Sequence, residues 1–238
     1  MPETARRYKY LDILTTMFVV ILLVSNLVAQ KVCAFGPVHG HYFYASGALL
    51  LFPITYIFGD VFTEVYGFGA SRRAIWLGFF GTSLLYALSA TVIALPGAPG
   101  WQNQAAFNTV FGFLPRMLAA SLIAYWAGEF ANSYTMAKLK LLTNGEKLWT
   151  RTIGSTIVGQ GVDTTLVIVL TFAGKYSSAT LVQIIWQGYL AKVAYETLAT
   201  PLTYLIVGWL KRSEHADAFD RNENFNPFSF SRSDTREA

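Results

Sequence analysis

Six ionisable side chains lie inside stretches of this chain that are otherwise apolar. They are Asp60, Glu64, Glu129, Asp163, Lys192 and Glu196. A charge in the hydrocarbon core of a bilayer costs about 2.5–3.5 kcal/mol on insertion scales, so such residues are rare and usually mark a ligand or ion site. Because the six occur in four separate apolar stretches, they predict one shared polar site inside a helix bundle.

Carboxylates and amides in such a site suit a flat ligand with several hydrogen-bond donors. A carboxylate can accept two parallel N–H bonds, such as those from the ring N–H and exocyclic amine of a guanine-like edge. Asn and Gln offer a donor and an acceptor to neighbouring ring atoms, and aromatic side chains can stack on the ring. The same residue types also suit a cation or a proton, so this chemistry alone leaves the ligand open.

Two stretches carry the centre of the predicted site. At about 100° per residue, Glu129 and Asn132 share one face of a helix, and Gln160 and Asp163 share a face of the next. Glu129 and Asp163 both lie about half way along their stretches. We therefore expect one of these two carboxylates to bind the ligand and the two amides to fix its orientation.

Three further pairs, each four residues apart, complete the candidates: Asn26 with Gln30, Lys192 with Glu196, and Asp60 with Glu64. The amide pair suits either substrate binding or hydrogen bonds between helices. The Lys–Glu pair suits charge balance and gating beside the substrate, or a structural ion pair. The acidic pair suits a cytoplasmic gate or proton carrier, or a cap on a helix end, and its like charges stack on one face and repel.

The elements that must position these residues are transmembrane helices. The 238 residues are 53% hydrophobic and only 13% charged, against about 25% charged in soluble domains. Apolar runs of about 20 residues match the bilayer core. We expect an all-α membrane protein, a six-transmembrane-helix bundle, with the third span as scaffold or lipid-facing. The spans are predicted at Leu11–Ala34, Ala45–Tyr66, Ala74–Leu95, Pro115–Leu139, Thr152–Ala173 and Leu181–Leu210.

Lys and Arg cluster in alternate loops and near both ends of the chain, which predicts cytoplasmic N- and C-termini. The predicted parts are an N-terminal segment (1–10), the six-helix transporter domain (11–212) and a polar tail (213–238) expected to be disordered or loosely bound. The first apolar run is too long for a signal peptide.

Several classes of function are not favoured. The net charge of +4 reflects loops between spans and does not indicate nucleic-acid binding. His39 and His41 have no carboxylate or cysteine nearby, and Cys33 is a single cysteine, so we expect no metal site, cofactor or disulfide. No hydrolase motif and no Walker loop is present, so the sequence indicates neither an enzyme nor an ATPase.

Four segments resemble the signature stretches of the queuosine precursor transporter family, also called the vitamin uptake transporter family. They are FPITYIFGDVFTEVYG (52–67), GEFANSYTMAKLK (128–140), RTIGSTIVGQGVDT (151–164) and KVAYETLATPLTY (192–204). The resemblance runs from the first span to about Arg212. It implies uptake of a 7-deazaguanine precursor of queuosine, either the 7-cyano or the 7-aminomethyl compound, across the bacterial inner membrane to supply tRNA modification.

Two other machines fit the same residues. One is the substrate-binding membrane subunit of an ATP-energised uptake complex, although no ATPase partner is evident from the sequence. The other is a proton or cation channel that uses the same carboxylates. The expected partners are the small-molecule substrate and membrane lipid, and a homodimer is left open.

Overall fold

The computed structural model describes residues 8–29, 31–38, 41–112, 115–221 and 223–229, which form a mostly helical bundle. The helices are α1 (Leu11–Val28), α2 (Phe52–Val61), α3 (Phe68–Ala94), α4 (Gln104–Phe111), α5 (Pro115–Leu142), α6 (Leu148–Phe172) and α7 (Ser178–Glu214). An antiparallel hairpin of β1 (Val32–Val38) and β2 (His41–Ser46) and a 3-10 turn (Gly47–Leu50) join α1 to α2. A π-helical turn (Phe62–Tyr66) joins α2 to α3.

The bundle has apolar side chains on its outer surface and polar side chains inside, as expected of a membrane protein. Four segments are long and apolar enough to cross a membrane: Leu11–Val28, Phe68–Ala94, Gln104–Leu142 and Leu148–Phe172. On α3, Leu77, Leu84 and Leu88 face outward while Thr82 and Ser89 are buried. The expectation of a helical membrane protein is confirmed, and the count of six crossings stays a prediction.

The first predicted span ends earlier than expected. The boundary at Ala34 is wrong, because α1 ends at Val28 and the chain forms the hairpin from Val32 onward. Within this hairpin, Gly36 has a φ of 123° and Pro37 has no N–H to donate, which suits a turn and not a helix. The described chain therefore contains a small β element that an all-α prediction omits.

The second predicted span, Ala45–Tyr66, is divided. Only ten of its residues form α2, and the π turn follows. Bonding from i to i+5 in that turn changes the angular spacing of side chains. Asp60 in α2 and Glu64 in the π turn have different hydrogen-bond partners, Asn132 and Arg151, and their sharing of one face stays a prediction.

Glycines allow α5 and α6 to pack closely along their lengths. A Cβ at Gly128 would lie 3.1 Å from the carbonyl oxygen of Gly159, and a Cβ at Gly159 would lie 3.0 Å from the carbonyl oxygen of Gly128. Small residues are what close approach of membrane helices requires. The neighbouring side chains Glu129, Asn132 and Gln160 are brought together by this contact.

The last four predicted spans correspond to α3, α5, α6 and α7, with ends that differ by several residues. Helix α4 was not predicted. Helix α7 is the longest of the described helices at 37 residues and contains Pro201. It is not among the four segments that are apolar enough by composition to cross a membrane.

The described part of the C-terminal tail packs against the helices. The carboxylate of Asp220 accepts the backbone N–H of Phe68 at 3.1 Å, and Glu223 pairs with the buried Arg72 at 3.2 Å. The ring centroids of Phe225 and Phe68 are 5.0 Å apart. Burial raises the pKa of Asp220 to about 6, although the Phe68 N–H acts in the opposite direction. Residues 215–221 and 223–229 thus differ from the loosely bound tail that their composition predicts.

Glu214, the last residue of α7, holds the start of α1. Its carboxylate accepts the backbone N–H groups of Lys9 at 2.8 Å and Tyr10 at 2.7 Å. It also accepts the hydroxyl of Tyr66 at 3.0 Å. The two ends of the helical region therefore lie together.

Candidate functional site

A cavity with a volume of about 480 Å³ lies at the centre of the bundle, bordered by six of the helices. This volume is within the range of small-molecule sites, about 300–1,000 Å³. Seven of the ten predicted site residues line it: Asn26, Asp60, Glu129, Asn132, Gln160, Asp163 and Lys192. Glu64 and Glu196 do not line it, and Gln30 lies outside the described residues.

Helices α5 and α6 supply the centre of the cavity wall, as their spacing predicted. Glu129 is partly exposed, whereas Asn132 and Gln160 are 9% and 7% exposed. The carboxylate of Glu129 also approaches α2, because a Cβ at Gly59 would lie 3.2 Å from its Oε2 atom. The wall therefore presents the partly exposed carboxylate of Glu129 with two amides beside it.

Lys192 on α7 pairs with Asp163 on α6. Its Nζ lies 2.6 Å from the Oδ2 of Asp163, and both side chains are about one quarter exposed. The predicted ion pair between Lys192 and Glu196 is therefore wrong. Helical spacing made Glu196 a reachable partner, but the carboxylate of the neighbouring helix is the one that Lys192 meets.

Asp60 lies at the cavity wall and is almost completely enclosed. Its side chain is 1% exposed, and its Oδ1 accepts a long hydrogen bond, 3.5 Å, from Asn132. Among the described residues, nothing donates a hydrogen bond to its Oδ2. Asp60 thus carries unused hydrogen-bonding capacity next to the cavity.

Glu196 lies behind the cavity wall and is 1% exposed. Neither of its carboxylate oxygens has a hydrogen-bond partner among the described residues. It is close enough to Asp60 and Glu129 for the charges to interact. A buried polar group without a partner is unusual and calls for a physical reason.

Asn26 connects α1 to α3. Its Oδ1 accepts the hydroxyl of Tyr86 at 3.0 Å, and its Nδ2 donates to the carbonyl of Leu22 at 2.8 Å. Thr82 and Tyr86 of α3 both line the cavity. The third predicted span thus faces outward with its leucines, as expected, while Thr82 and Tyr86 reach the cavity, which the expectation omitted.

Glu64 belongs to a separate group of charges, here called the Glu64 cluster: Glu64, Lys140, Arg151, Lys211 and Asp217. Arg151 donates to both carboxylate oxygens of Glu64 at 2.7 and 3.0 Å. The Nζ atoms of Lys211 and Lys140 lie 2.6 and 3.5 Å from its Oε1. Glu64 is fully buried and held by three cations, and it does not line the cavity.

The cavity can bind a small polar ring system by its edge and faces. Glu129, Asn132 and Gln160 offer acceptors and donors, and Tyr56 and Tyr125 add aromatic lining. Within the described ranges, no group of three or more His, Cys, Asp or Glu side chains is arranged to hold a metal ion. The arrangement favours recognition of an organic ligand.

Comparisons with known proteins point to transport. The sequence model of a family described as "Putative vitamin uptake transporter" matches residues 46–206. A protein of Bacillus subtilis (strain 168) named "Probable queuosine precursor transporter" is 32% identical over 146 residues, which are 61% of this chain and 64% of the relative. The matched region thus spans just under two thirds of the relative's length. No solved structure matches this chain.

Proposed function

Because the chain belongs to the vitamin uptake transporter family, we propose that it imports a 7-deazaguanine precursor of queuosine across the bacterial inner membrane. The substrate is 7-cyano-7-deazaguanine or its 7-aminomethyl analogue, which the cell uses for tRNA modification. The name of the Bacillus subtilis relative supports this substrate class. Transport leaves the ligand chemically unchanged, so no catalytic residue is required.

The observation that carries the proposal is the central cavity, where the partly exposed carboxylate of Glu129 lies beside two amides. Glu129 accepts the ring N–H and exocyclic amine of the guanine-like edge, and Asn132 and Gln160 bind the neighbouring carbonyl and ring nitrogen. A carboxylate offers two parallel acceptors, which this edge requires. The Asp163–Lys192 pair lies beside the ligand and presents both charges of an ion pair to its polar substituents.

The same proposal includes six membrane crossings with cytoplasmic termini. The crossings are α1, α2 with its π turn, α3, α5, α6 and α7. The contacts of Glu214 with the N–H groups of Lys9 and Tyr10 support termini on one side. Arg72 and Arg73 at the start of α3 favour the cytoplasm for that side.

Uptake by the purified protein in liposomes tests the proposal. Labelled 7-cyano-7-deazaguanine should enter without ATP or a second protein, and excess unlabelled 7-aminomethyl compound should compete. Glu129→Gln should weaken binding about 10- to 100-fold, because a hydrogen bond to a charged group contributes about 1.5–3 kcal/mol. Asp163→Asn should also reduce uptake, because it leaves Lys192 without its partner.

Glu146→Gln is a matched control, since Glu146 is exposed and distant from the cavity lining. This variant should transport like the parent protein. If Glu129→Gln and Asp163→Asn both leave uptake unchanged, the assigned site is wrong. Uptake that appears only with an added ATPase module would replace the proposal with the ATP-energised alternative, and substrate-independent currents would indicate a channel.

A further inference from the structure

Two carboxylates, Asp60 and Glu196, are enclosed by the bundle and are here called the sealed pair. Asp60 and Glu196 are each 1% exposed, and three of their four carboxylate oxygens lack a hydrogen-bond partner among the described residues. Glu129 and Asp163, in contrast, are partly exposed. A bicyclic ligand can reach the exposed pair but not the sealed pair.

Among the described residues, no cation forms an ion pair with Asp60 or Glu196. In the part of the chain that the structure describes, the other ionisable groups that interact electrostatically with the pair are Tyr56 on α2, Glu64 in the π turn and Glu129 on α5. Glu129 interacts in turn with Asp163 on α6 and Lys192 on α7. Lys192 is engaged by Asp163 at 2.6 Å, and Glu64 is itself held by Arg151 and Lys211. Two unpaired negative charges in a low-dielectric interior are strongly unfavourable, so the pair must hold at least one proton.

A metal ion is a poor alternative occupant. Hard cations require several converging oxygen ligands. Within the described part of the chain, no three acidic, His or Cys side chains are grouped closely enough to provide them. A proton needs only one carboxylate oxygen and can pass where the side chains leave no open space.

We propose that Asp60 and Glu196 are a proton-binding pair that couples uptake of the deazaguanine to proton influx. This inference rests on the proposed function and adds its energy source. Water in the cavity delivers a proton to the Asp60 carboxylate, and the proton is shared with Glu196 behind it. After the bundle rearranges, the carboxyl group returns the proton to water on the other side, and no other bond changes.

Helix α7 has a break in its backbone hydrogen bonding close to Glu196. Pro201 has no N–H to donate to the carbonyl of Thr197, so the helix lacks a bond one turn beyond Glu196. The hydroxyl of Thr200 donates to the carbonyl of Glu196 at 3.0 Å. Further along, Lys211 is bound to Glu64 at 2.6 Å. Helix α7 therefore connects the cavity to the Glu64 cluster, and the missing hydrogen bond at Pro201 lies between them. Protonation of Glu196 changes the charge next to this break.

The test uses liposomes that contain the purified protein and a pH-sensitive dye, with the membrane potential clamped. With the outer solution one pH unit more acidic, labelled 7-cyano-7-deazaguanine should accumulate about tenfold under one-to-one coupling. Adding the compound should also acidify the lumen. Glu196→Gln and Asp60→Asn should abolish both effects while keeping exchange of labelled for unlabelled compound, and Glu146→Gln should keep all three activities.

Exchange serves as the check that each variant is folded. If one amide variant does not exchange, Glu196→Asp, which keeps a carboxyl group, should restore acidification. Exchange by the parent protein without acidification, or accumulation driven by a sodium gradient instead, would overturn the coupling and leave the transport function standing. Coupling that survives in Glu196→Gln would overturn the role of the pair. Absence of any exchange by the parent protein would instead overturn the transport function itself.

Discussion

The bundle buries acidic side chains in two regions, and the regions treat them in opposite ways. In the Glu64 cluster, two carboxylates meet three cations within hydrogen-bonding or ion-pair distance. Around the cavity, four carboxylates meet a single described cation, Lys192, which one of them already binds. The paired charges of the Glu64 cluster hold the helices and the tail in place. The cavity carboxylates that have no cationic partner remain able to bind a ligand or a proton.

The partners of Glu64 explain why its region is structural. Arg151 comes from α6, Lys140 from α5 and Lys211 from α7, so one carboxylate joins three helices to the π turn. The Nζ of Lys140 also donates to the backbone carbonyl of Glu64 at 2.6 Å. An interaction with this many partners resists rearrangement, which makes the predicted gate or proton carrier at Glu64 unattractive.

The largest expected effect is loss of stability in Glu64→Gln. Removing the central anion leaves the buried Arg151 and Lys140 and the partly exposed Lys211 with too little negative charge. Breaking a buried ion pair costs about 3–5 kcal/mol. The unfolding midpoint of the purified protein in detergent should fall strongly. Glu129→Gln makes the same chemical change at the cavity and should lower it little. Equal losses in the two variants would mean that the regions do not differ as described.

At Glu196 we expect a smaller change in stability, and here the substitution should stabilise the protein. Replacing this carboxyl group by an apolar one of similar length, Glu196→Met, removes two buried oxygens that lack partners. Leaving a buried polar group unsatisfied costs about 1–3 kcal/mol, so stability should rise by about 1 kcal/mol. Thermal unfolding without ligand measures it. A variant that unfolds at a lower temperature would show that Glu196 has a stabilising partner.

Much of the cavity could be predicted from sequence because α5 and α6 are regular. Glu129, Asn132, Gln160 and Asp163 keep α-helical phase along uninterrupted helices, and all four line the cavity. The different surroundings of Asp60 and Glu64 could not be predicted this way, because Glu64 lies in a π turn, which changes the residue spacing. A sequence pattern interpreted with the α-helical repeat of about 3.6 residues cannot detect a short segment with a different repeat.

The Glu64 cluster could not be predicted from the sequence for a different reason. Lys140, Arg151 and Lys211 lie next to the ends of predicted spans, where basic residues ordinarily indicate topology. Their contacts with Glu64 span 76, 87 and 147 residues of sequence. Only the folded chain distinguishes a lysine that faces the cytoplasm from one that is buried on a carboxylate.

The smallest expected effect concerns Asp217, where the tail joins the cluster. Burial acts to raise the pKa of Asp217, but hydrogen bonds from Lys140 and Lys211 outweigh it, so the pKa lies below its usual value of 3.8. A lowered pKa in the folded state means that this stabilisation is present above pH 3.8 and is lost as the pH falls below it. Because Asp217 is 46% exposed, Asp217→Asn should cost only about 0.5 kcal/mol at neutral pH. Unfolding midpoints of parent and variant should therefore differ at pH 7 and converge in acid. A gap that widens in acid would mean that the tail is held by contacts other than this carboxylate.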